Sequence, residues 1–371
     1  MAFSKGLMNK RRFGHVTVPL KRVHLELTNV CDFNCAFCPK SEMKRPFRHM
    51  DPDLAKRVID EIGENGLAEK ITFHVMGEPT LHPDFFDILT HAQTKVNVGL
   101  TTNGGGLGGD TGKRLLDYGL YQVDISLQTP DADSFALRKA KALTFESYLE
   151  GILAFFRDYH AKWPNTIIKL RFLNTRFPKK EIESKKGPVR VINSTEELRR
   201  TFRYWSGRIY DVLGVEGEKR RMAMRRIGSL SAVKWNVVEV YPNVFFETYV
   251  LEGWGHAFDD EKAREAWAGY CFGMRDHFSI LSNGDLILCC VDFEGKTRIG
   301  NLHTASLLEI LSSEELGKII NGFEHFKLVH SHCRQCLGST SFASWVFKPI
   351  LSIAALKVLK PFFYKRTRLY P

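Results

Sequence analysis

The chain has 371 residues, of which 44% are hydrophobic and 26% are charged, and its formal net charge is +11. This composition excludes a disordered or collagen-like protein and fits a globular chain with a sizeable core. No run approaches the roughly 18 apolar residues of a membrane span, and no apolar segment follows the basic N-terminus, so a cytoplasmic protein is expected. In that reducing compartment, the eight cysteines are expected to be metal ligands or redox groups rather than disulfides.

Strand and helix patterns alternate along the first half of the chain. Strands are predicted at residues 23–27, 71–75, 96–101, 122–127 and 167–172. Helices are predicted at 51–62, about 83–93, a segment that closes with 115–120, and 145–160, and Asp51 stands where it would cap the first of them. This alternation indicates right-handed βαβ units around a parallel sheet, with the chemistry at the carboxyl ends of the strands. The expected fold class is therefore α/β.

The pattern changes after residue 177. Residues 176–230 hold 15 basic and 7 acidic residues, and residues 179–226 have helical spacing interrupted by a Lys-Lys-Gly-Pro turn at 185–188. The surplus of positive charge is compatible with an anionic partner, although solvated helix faces are the simpler explanation. Farther on, strand patterns at 278–281 and 285–289 flank an Asn283-Gly284 turn signal and predict a β-hairpin in what looks like a separate small domain.

Three cysteines follow the first predicted strand within eight residues: Cys31, Cys35 and Cys38. Three thiolates on one loop can hold three corners of an iron–sulfur cube, which normally takes four cysteines. The fourth iron would then be open to a substrate or cofactor. A zinc ion would need its fourth ligand from a distant segment, and inert buried thiols are improbable when three share a loop.

The CxxxCxxC spacing, with Phe37 before the last cysteine, resembles the signature of the radical S-adenosylmethionine (radical SAM) superfamily. Further family-like motifs follow the next strands in order: Met76-Gly-Glu-Pro79, Thr101-Thr-Asn-Gly104, Asp124-Ile-Ser-Leu127, Arg138 and Asn174. The resemblance implies a partial (β/α)6 barrel and a [4Fe–4S] cluster on Cys31, Cys35 and Cys38 that binds SAM. It also implies a set of cofactor-binding residues, in which Glu78 receives the amino group of SAM: Gly77, Glu78, Asn103, Ser126 and Arg138.

The resemblance further implies the type of reaction. An electron from an external donor of the flavodoxin or ferredoxin type cleaves SAM to methionine and a 5′-deoxyadenosyl radical, which removes a hydrogen atom from the substrate. The cofactors supply the difficult chemistry, and the barrel positions the substrate and excludes solvent.

A second group of cysteines lies near the predicted hairpin: Cys271, Cys289, Cys333 and Cys336. Four thiols from a hairpin and a CxxC knuckle suit either zinc or a fully ligated cluster, and the spacing does not separate the two. Cys290 is the spare cysteine, because period-two alternation from Ile287 favours Cys289 as the ligand.

The order of these cysteines, with Asp292 and Gly300-Asn301 between them, resembles the SPASM/twitch extension of radical SAM enzymes. The cysteines for two auxiliary clusters are not all present, so the shortened twitch form with one auxiliary [4Fe–4S] cluster is implied. In cyclase relatives three cysteines leave that cluster open to substrate, whereas four ligands favour a cluster that accepts an electron from the substrate. A purely structural cluster remains the alternative.

The expected function is therefore an oxidation of a small-molecule, sugar or lipid-linked substrate. Epimerisation and peptide maturation are alternatives within the superfamily, although 30 residues before Cys31 are few for a leader-binding module. A zinc-binding nucleic-acid-binding module explains the charge but leaves the SAM-site motifs unexplained, so no nucleic acid partner is expected. Residues expected to shape the substrate pocket lie within 236–256: Glu247, Tyr249, Trp254 and His256.

Three regions are expected: a radical SAM barrel at 15–235 with a basic helical insertion at 176–230, an auxiliary domain at 236–340, and a basic amphipathic tail at 341–371. The tail has six basic residues and no acidic ones, and Pro349 predicts a helix at 350–360. A helix of this length does not span a bilayer but can lie in its interface. Peripheral contact with the inner face of the membrane is expected, and packing on the barrel is the alternative.

Overall fold

The structure, a computed structural model, describes residues 10–141, 143–174, 191–232, 236–250 and 263–354. A short antiparallel ribbon of β1 (Arg11–Phe13) and β2 (Val16–Val18) precedes the main sheet. The strands of the main sheet are β3 (Arg22–Leu25), β4 (Ile71–Phe73), β5 (Val98–Thr102), β6 (Gln122–Gln128), β7 (Ile167–Asn174), β8 (Val237–Tyr241), β9 (Val244–Val250), β10 (His277–Ile280), β11 (Asp285–Ile287) and β12 (Arg298–Asn301).

These ten strands form one sheet in the order β12-β11-β10-β3-β4-β5-β6-β7-β9-β8. All neighbours from β10 through β3 to β9 run parallel, whereas the pairs β10–β11, β11–β12 and β8–β9 are antiparallel. Strands β3 to β7, together with β9, are the six parallel strands of the expected partial (β/α)6 barrel. The strand patterns of the sequence are confirmed, with ends that differ by at most two residues.

The barrel helices are α1 (Pro52–Glu64), α2 (Phe85–Gln93), α3 (Asp110–Leu115), α4 (Ala132–Phe135) and α5 (Phe145–Lys162). In α1, the Asp51 side chain accepts a hydrogen bond from Asp53 N at 2.8 Å and caps the helix as expected. The apolar residues of α1 recur every three or four positions and are buried in one core with the apolar face of the sheet.

Helix α3 ends at Leu115, five residues before the end predicted from the sequence. The chain turns after this point because Gly119 packs against Trp163, where a Cβ would lie 2.6 Å from the indole. Leu120 N donates to Tyr159 Oη at 2.9 Å and directs the chain into β6. The apolar residues between 115 and 120 therefore belong to a tight connection rather than to a helix.

The basic segment contains α6 (Thr195–Leu213) and α7 (Gly217–Gly228), while the turn predicted at 185–188 lies outside the described residues. The apolar side of α6 packs on the barrel, where Trp205 is fully buried and its indole nitrogen donates to Pro130 O at 3.0 Å. Most of the arginines on these helices are exposed, including Arg203 and Arg221. This arrangement favours the interpretation of solvated helix faces.

The predicted hairpin is confirmed as β10 and β11, with Gly284 in the turn at φ +84°. The hairpin does not form a sheet of its own, because β10 pairs in parallel with β3 in the register His277 to Arg22. Strand β9, which lies beyond the predicted limit at residue 235, also pairs within the main sheet, parallel to β7. The predicted domain limits stay predictions. After the sheet come α8 (Leu307–Leu311), α9 (Glu314–Glu324) and α10 (Ser331–Cys336).

The last described helix is α11 (Phe342–Ile353), which begins seven residues before Pro349. The predicted start at Pro349 is therefore wrong: this proline lies inside the helix, where it has no N–H for the hydrogen-bond ladder and its ring crowds the carbonyl four residues earlier. Trp345 fixes the N-terminal half, since its indole nitrogen donates to Glu265 O at 2.8 Å. The predicted continuation past residue 354 lies outside the described residues. Among the helices described, none has the length and apolar character needed to cross a membrane.

A buried ion pair connects the N-terminal half of the barrel to the hairpin. The two carboxylate oxygens of Glu26 accept hydrogen bonds from the Arg45 guanidinium at 2.9 and 3.0 Å, and the Ser282 backbone and hydroxyl each donate to Glu26 at 2.9 Å. The Glu26 side chain is fully buried. Removing one partner of such a pair typically costs about 3–5 kcal/mol, so this contact clamps the loop after β3 to the hairpin.

Candidate functional site

The three clustered cysteines lie on the loop that leaves the carboxyl end of β3. Lys40 spans this loop, because its Nζ donates to Cys31 O at 2.8 Å and to Phe33 O at 2.9 Å. Ala36 N donates to Leu137 O at 2.8 Å and ties the loop to the segment that follows β6. Backbone and lysine contacts therefore contribute to the shape of the loop.

The thiols of this loop are half-buried, and none of them forms a disulfide. Burial raises the pKa of Cys31 to about 12, and the nearby Glu78 carboxylate adds to the shift. A thiolate in such surroundings needs a cation beside it, which a bound metal supplies. Three reduced thiols on one loop are also the donor set that iron–sulfur clusters take, so the residues fit the implied cluster.

Gly77 brings the turn after β4 against the cysteine loop. Its φ is +72°, and a Cβ at this position would collide with Thr28 O and lie 2.6 Å from Val30 O. Glu78 N donates to Val30 O at 2.8 Å at the same contact. Glycine is therefore required both by the left-handed conformation and by the close approach of two backbones.

We expect the substitution Gly77→Ala to destabilise the protein and to weaken SAM binding. The left-handed conformation alone costs a residue with a Cβ about 1–3 kcal/mol, and the contact with Thr28 O forces the cysteine loop to move. Urea denaturation and equilibrium dialysis with SAM measure the two effects. Gly109→Ala is the matched control, because Gly109 has φ −109° and its Cβ position meets only Gly106 O, at an ordinary contact distance of 3.8 Å. Equal stability and affinity in both variants would contradict this role of Gly77.

The carboxylate of Glu78 is buried and held in a fixed orientation. Its Oε1 accepts a hydrogen bond from Thr80 Oγ1 at 2.8 Å, and its Oε2 accepts one from Asn103 N at 2.6 Å. Burial raises the pKa of Glu78 to about 7, although these hydrogen bonds favour the ionised form. A buried carboxylate that lacks a cation is prepared to accept a positively charged group such as an ammonium.

Asn103 links this carboxylate to the cysteine loop. Its Nδ2 lies 3.7 Å from Cys31 Sγ and donates to Asp32 Oδ1 at 2.6 Å. The backbone carbonyl oxygen of Asn103 accepts hydrogen bonds from Arg138 Nη2 at 3.1 Å and from the Tyr148 hydroxyl at 2.8 Å. The predicted residues Gly77, Glu78 and Asn103 are therefore brought together at the carboxyl ends of β4 and β5.

Arg138 is fully buried, and its guanidinium is already engaged by the protein. Besides Asn103 O, it donates to Leu127 O at 2.9 Å and to Tyr148 Oη at 2.7 Å, and it stacks on the Phe33 ring at 4.6 Å. These contacts join the cysteine loop to β5, β6 and α5. Direct contact of Arg138 with a cofactor stays a prediction, and the structure assigns this side chain a positioning role.

Ser126 is half-buried near the end of β6, where the pairing with β7 is shifted between Ile125 and Gln128. Asn174 ends β7, and its Nδ2 donates to Ala232 O at 3.0 Å rather than pointing at the cysteine loop. Ser126 therefore stands at the same edge of the sheet as Glu78 and Asn103, and its contact with a cofactor remains a prediction. Asn174 instead anchors the segment that follows α7.

The second group of cysteines is also brought together. Gly273 N donates to Cys271 Sγ at 3.4 Å, and a Cβ on Gly273 would lie 3.5 Å from Cys289 Cβ. Cys333 and Cys336 lie on α10, one helical turn apart. Burial raises the pKa of Cys289 and of Cys333, and the charges of Cys271 and Cys336 add to both shifts. Four half-buried thiols that repel one another when ionised fit a positively charged metal centre, and their role as ligands stays a prediction.

The two groups of cysteines lie at opposite ends of the same parallel strands. The loop with Cys31 follows β3, whereas Cys271 precedes β10, which runs parallel to β3. A strand of four residues spans about 13 Å. The inner face of the barrel therefore lies between the two groups.

Sequence reasoning missed a buried network of charges on this inner face. Arg171 contacts Asp124 at 2.9 Å and Glu247 at 3.2 Å, and Lys169 lies 3.7 Å from Glu247. Of the pocket residues expected from the sequence, Glu247 and Tyr249 belong to this network, with Arg171 over the Tyr249 ring at 5.1 Å. Trp254 and His256 lie outside the described residues. Lys169 and Arg171 alternate with apolar residues within β7, and this alternation is the sequence signal that could have revealed the network.

Two family models match the chain. One is described as the radical SAM superfamily and matches residues 25–162, and the other is described as SPASM, an iron–sulfur cluster-binding domain, and matches residues 271–337. The first span contains the CxxxCxxC loop and the Gly-Glu-Pro turn, and the second extends from Cys271 to just past Cys336. Together the two domains imply a SAM-binding [4Fe–4S] cluster and auxiliary iron–sulfur ligation.

Curated relatives resemble parts of the chain. A tungsten-containing aldehyde ferredoxin oxidoreductase cofactor-modifying protein from Pyrococcus furiosus is 30% identical over 109 residues, covering 29% of this chain and 31% of the relative. A probable GTP 3′,8-cyclase from Metallosphaera sedula is 32% identical over 186 residues, covering 48% of this chain and 53% of the relative. The chain thus spans only 31% and 53% of the length of these two relatives.

Solved structures resemble the fold over most of the chain. SuiB from Streptococcus suis, bound to S-adenosylmethionine, matches with a TM-score of 0.52 at 15% identity, covering 83% of this chain and 69% of that one. The native protein anSMEcpe with bound AdoMet matches with a TM-score of 0.51 at 13% identity, covering 92% and 99%. At such identities the likeness shows the fold alone, and it agrees with the partial barrel.

The fold, the two groups of cysteines and the two domain models agree with one another. The alternative of a zinc-binding nucleic-acid-binding module loses support, because each group of cysteines falls inside a domain of iron–sulfur proteins. The SAM-site motifs, which that alternative left unexplained, fall inside the first domain. The chain therefore contains a radical SAM domain at residues 25–162 and a SPASM-type iron–sulfur cluster-binding domain at residues 271–337.

Proposed function

We propose that the chain is a radical SAM enzyme that oxidises a small-molecule, sugar or lipid-linked substrate bound on the inner face of the barrel. The observation that supports this proposal most is the arrangement of the two groups of cysteines at opposite ends of the parallel strands, with the charged inner face between them. A substrate on this face would have a hydrogen-abstracting centre at one end and an electron acceptor at the other.

When bound, the cluster and SAM supply a 5′-deoxyadenosyl radical on reduction by a flavodoxin- or ferredoxin-type donor. The protein binds and orients SAM: the Glu78 carboxylate pairs with its ammonium group, and Asn103 holds that carboxylate through its backbone N–H. Arg138 and Tyr148 donate hydrogen bonds to Asn103 O and so hold the cysteine loop against the end of β5. The four auxiliary thiols would hold a cluster through four protein ligands, which favours a role as electron acceptor.

Three other reactions within the superfamily are compared with the oxidation: cyclisation, peptide maturation and epimerisation. A probable GTP 3′,8-cyclase is among the relatives, and SuiB is a solved structure bound to a precursor peptide, SuiA. The four-cysteine auxiliary group argues against direct binding of substrate to the auxiliary cluster, as in a cyclase. Peptide maturation is supported only by likeness of fold. Epimerisation would leave the mass of the product unchanged, whereas oxidation removes two hydrogens.

Mass spectrometry distinguishes these reactions. Cluster-loaded protein, SAM and a reductant are incubated with deuterium-labelled candidate substrates, and the masses of both the 5′-deoxyadenosine and the product are measured. Oxidation is expected to transfer deuterium to 5′-deoxyadenosine and to yield a product that has lost two hydrogens, with one SAM consumed per turnover. A product of unchanged mass, or one that has only exchanged hydrogen with solvent, would mean rearrangement or epimerisation and would overturn the oxidation.

The proposed role of Glu78 predicts a pH dependence of SAM binding. The ammonium of SAM pairs with the ionised carboxylate, and burial raises the pKa of Glu78 to about 7. The affinity should therefore be full above pH 7 and fall as the pH drops through 7, by up to about tenfold per pH unit. Equilibrium dialysis of cluster-loaded protein between pH 6 and pH 8 measures this slope.

The control for this experiment is Glu78→Gln, which keeps the size of the side chain but removes its charge. The variant should bind SAM weakly at pH 8, and its affinity should not change between pH 6 and pH 8. An equally steep pH dependence in the variant would show that another group titrates, and a flat profile in the wild type would contradict the role of the carboxylate.

We also propose that α11 makes peripheral contact with anionic lipid. Its exposed residues include Phe342, Phe347, Ile350 and Leu351, each at least half exposed. From residue 341 to the last residue the chain has six basic residues and no acidic ones. An apolar face flanked by positive charge suits the interface of an anionic membrane, at about 1 kcal/mol per basic residue near the surface.

Flotation with vesicles that contain anionic lipid tests this contact. The full chain should float at low salt, and the double variant Phe347→Ser/Leu351→Ser should stay in the soluble fraction, because it loses two exposed apolar side chains. Uncharged vesicles are the control for charge. If the wild type does not float at low salt, or if the variant floats equally well, the membrane contact is contradicted.

A further inference from the structure

The spare cysteine faces a different part of the protein from its neighbour. Cys289 lies among the other auxiliary thiols, with Cys271 and Cys336 close enough to affect its pKa. Cys290 instead points toward the start of β3 and β10. Its Sγ and one ring nitrogen each of His24 and His277 all lie within 4.8 Å of one another. In the described part of the chain, no other trio of His, Cys, Asp or Glu residues is gathered this closely.

The two histidines are held in place by the sheet. His24 lies on β3 and His277 on the parallel neighbour β10, and their rings are 5.5 Å apart at an angle of 77°. His24 is 5% exposed, and its Nδ1 has no hydrogen-bond partner among the described residues. Buried polar atoms are normally satisfied, so an unsatisfied ring nitrogen on His24 is available to a ligand.

We propose that His24, His277 and Cys290 bind a divalent metal ion of the zinc type, at a third metal centre that is separate from both iron–sulfur sites. Two imidazoles and one thiolate are a donor set that tetrahedral zinc prefers. Zinc bonds of about 2.0–2.3 Å place the ligand atoms about 3.3–3.8 Å apart, so side chains now within 4.8 Å need only approach by about 1 Å.

Three protein ligands leave the fourth coordination position open, which is the arrangement of catalytic rather than structural zinc. The cations that act on the site are Arg22, which affects both His24 and Cys290, Lys70, which affects His24, and Arg171, which affects Cys290. Burial lowers the pKa of Lys70 to about 7, so this amine loses its charge readily when a metal ion binds nearby. The remaining positive charge favours an anion in the fourth position, such as hydroxide or an anionic group of the substrate. The ion would thereby contribute to substrate binding on the inner face.

Zinc-edge X-ray absorption tests this site in the presence of iron, because it detects zinc alone. Cluster-loaded protein is incubated with one equivalent of Zn²⁺, desalted and measured, with metal content determined in parallel. About one zinc per chain should be retained, with a first shell of nitrogen or oxygen at about 2.0 Å and a single sulfur at about 2.3 Å. The iron content should not change.

Variants distinguish this centre from surface binding and from the cluster sites. Cys290→Ser should remove the sulfur from the first shell and weaken zinc retention at least tenfold, and His277→Gln should also weaken it if the serine variant folds poorly. His303→Ala, which removes an exposed histidine, should retain zinc. Failure of the wild type to retain zinc, or a shell of four sulfurs together with a loss of iron, would overturn the third centre. Neither result affects the proposed reaction, which rests on the other seven cysteines.

Discussion

Replacing Cys31, Cys35 and Cys38 together by alanine should halve the iron of the reconstituted protein and abolish the cleavage of SAM. Two cubane clusters hold about 8 iron atoms per chain, so the variant should retain about 4. With the four proposed ligands Cys271, Cys289, Cys333 and Cys336, the remaining cluster would have no open position for SAM. Iron analysis after anaerobic reconstitution and detection of 5′-deoxyadenosine measure the two effects.

The double variant Cys333→Ala/Cys336→Ala is the complementary control. It should also lose about half of the iron, but it should still bind SAM, because the loop that carries Cys31 is anchored by Lys40 and the segment after β6. If both variants retain the full iron content, or if wild-type protein holds about 4 iron atoms with zinc at the second group, the two-cluster assignment is wrong.

Serine substitutions at the adjacent residues Cys289 and Cys290 are expected to have very different effects on the iron content. Cys289→Ser should lose the auxiliary cluster and about 4 iron atoms per chain, whereas Cys290→Ser should keep about 8. The reason is geometric, because Cys289 lies among the auxiliary thiols and Cys290 points toward His24 and His277. The two variants differ by one position in the chain and are matched in size and chemistry.

Electron paramagnetic resonance of the reduced proteins checks the same pair. Two overlapping cluster signals are expected for Cys290→Ser, and one for Cys289→Ser. The reverse pattern would mean that Cys290 is the ligand, and it would also remove the thiolate on which the third metal centre depends.

Much of the barrel could be predicted from the sequence, because its strands alternate with helices and each pattern is local. The position of β9 could not, since whether a strand joins the barrel or the auxiliary domain depends on a partner, β7, that is distant in the chain. The end of α3 was missed for a similar reason: the turn at Gly119 depends on the Trp163 ring. The start of α11 was missed because Pro349 is compatible with both a first turn and a helix interior.

The candidate site was predicted to a similar extent. The cysteines, Gly77, Glu78 and Asn103 stand in recognisable motifs after strands, and the structure brings these motifs together. Lys40 and Tyr148 could not be found in this way, because their contacts link segments without a motif. The group of His24, His277 and Cys290 is assembled only by the parallel pairing of β3 with β10.

That pairing also has a consequence for biosynthesis. Lys21, next to β3, bonds Asp276, next to β10, across 255 residues of chain. During synthesis, β3 is made early, and one of its edges has no partner until β10 emerges from the ribosome. Contacts between such distant segments form slowly, and an unpaired strand edge invites pairing with another chain. A nascent chain that stalls before residue 277 would therefore expose this edge, and the beginning of the barrel depends on the arrival of the hairpin to avoid aggregation.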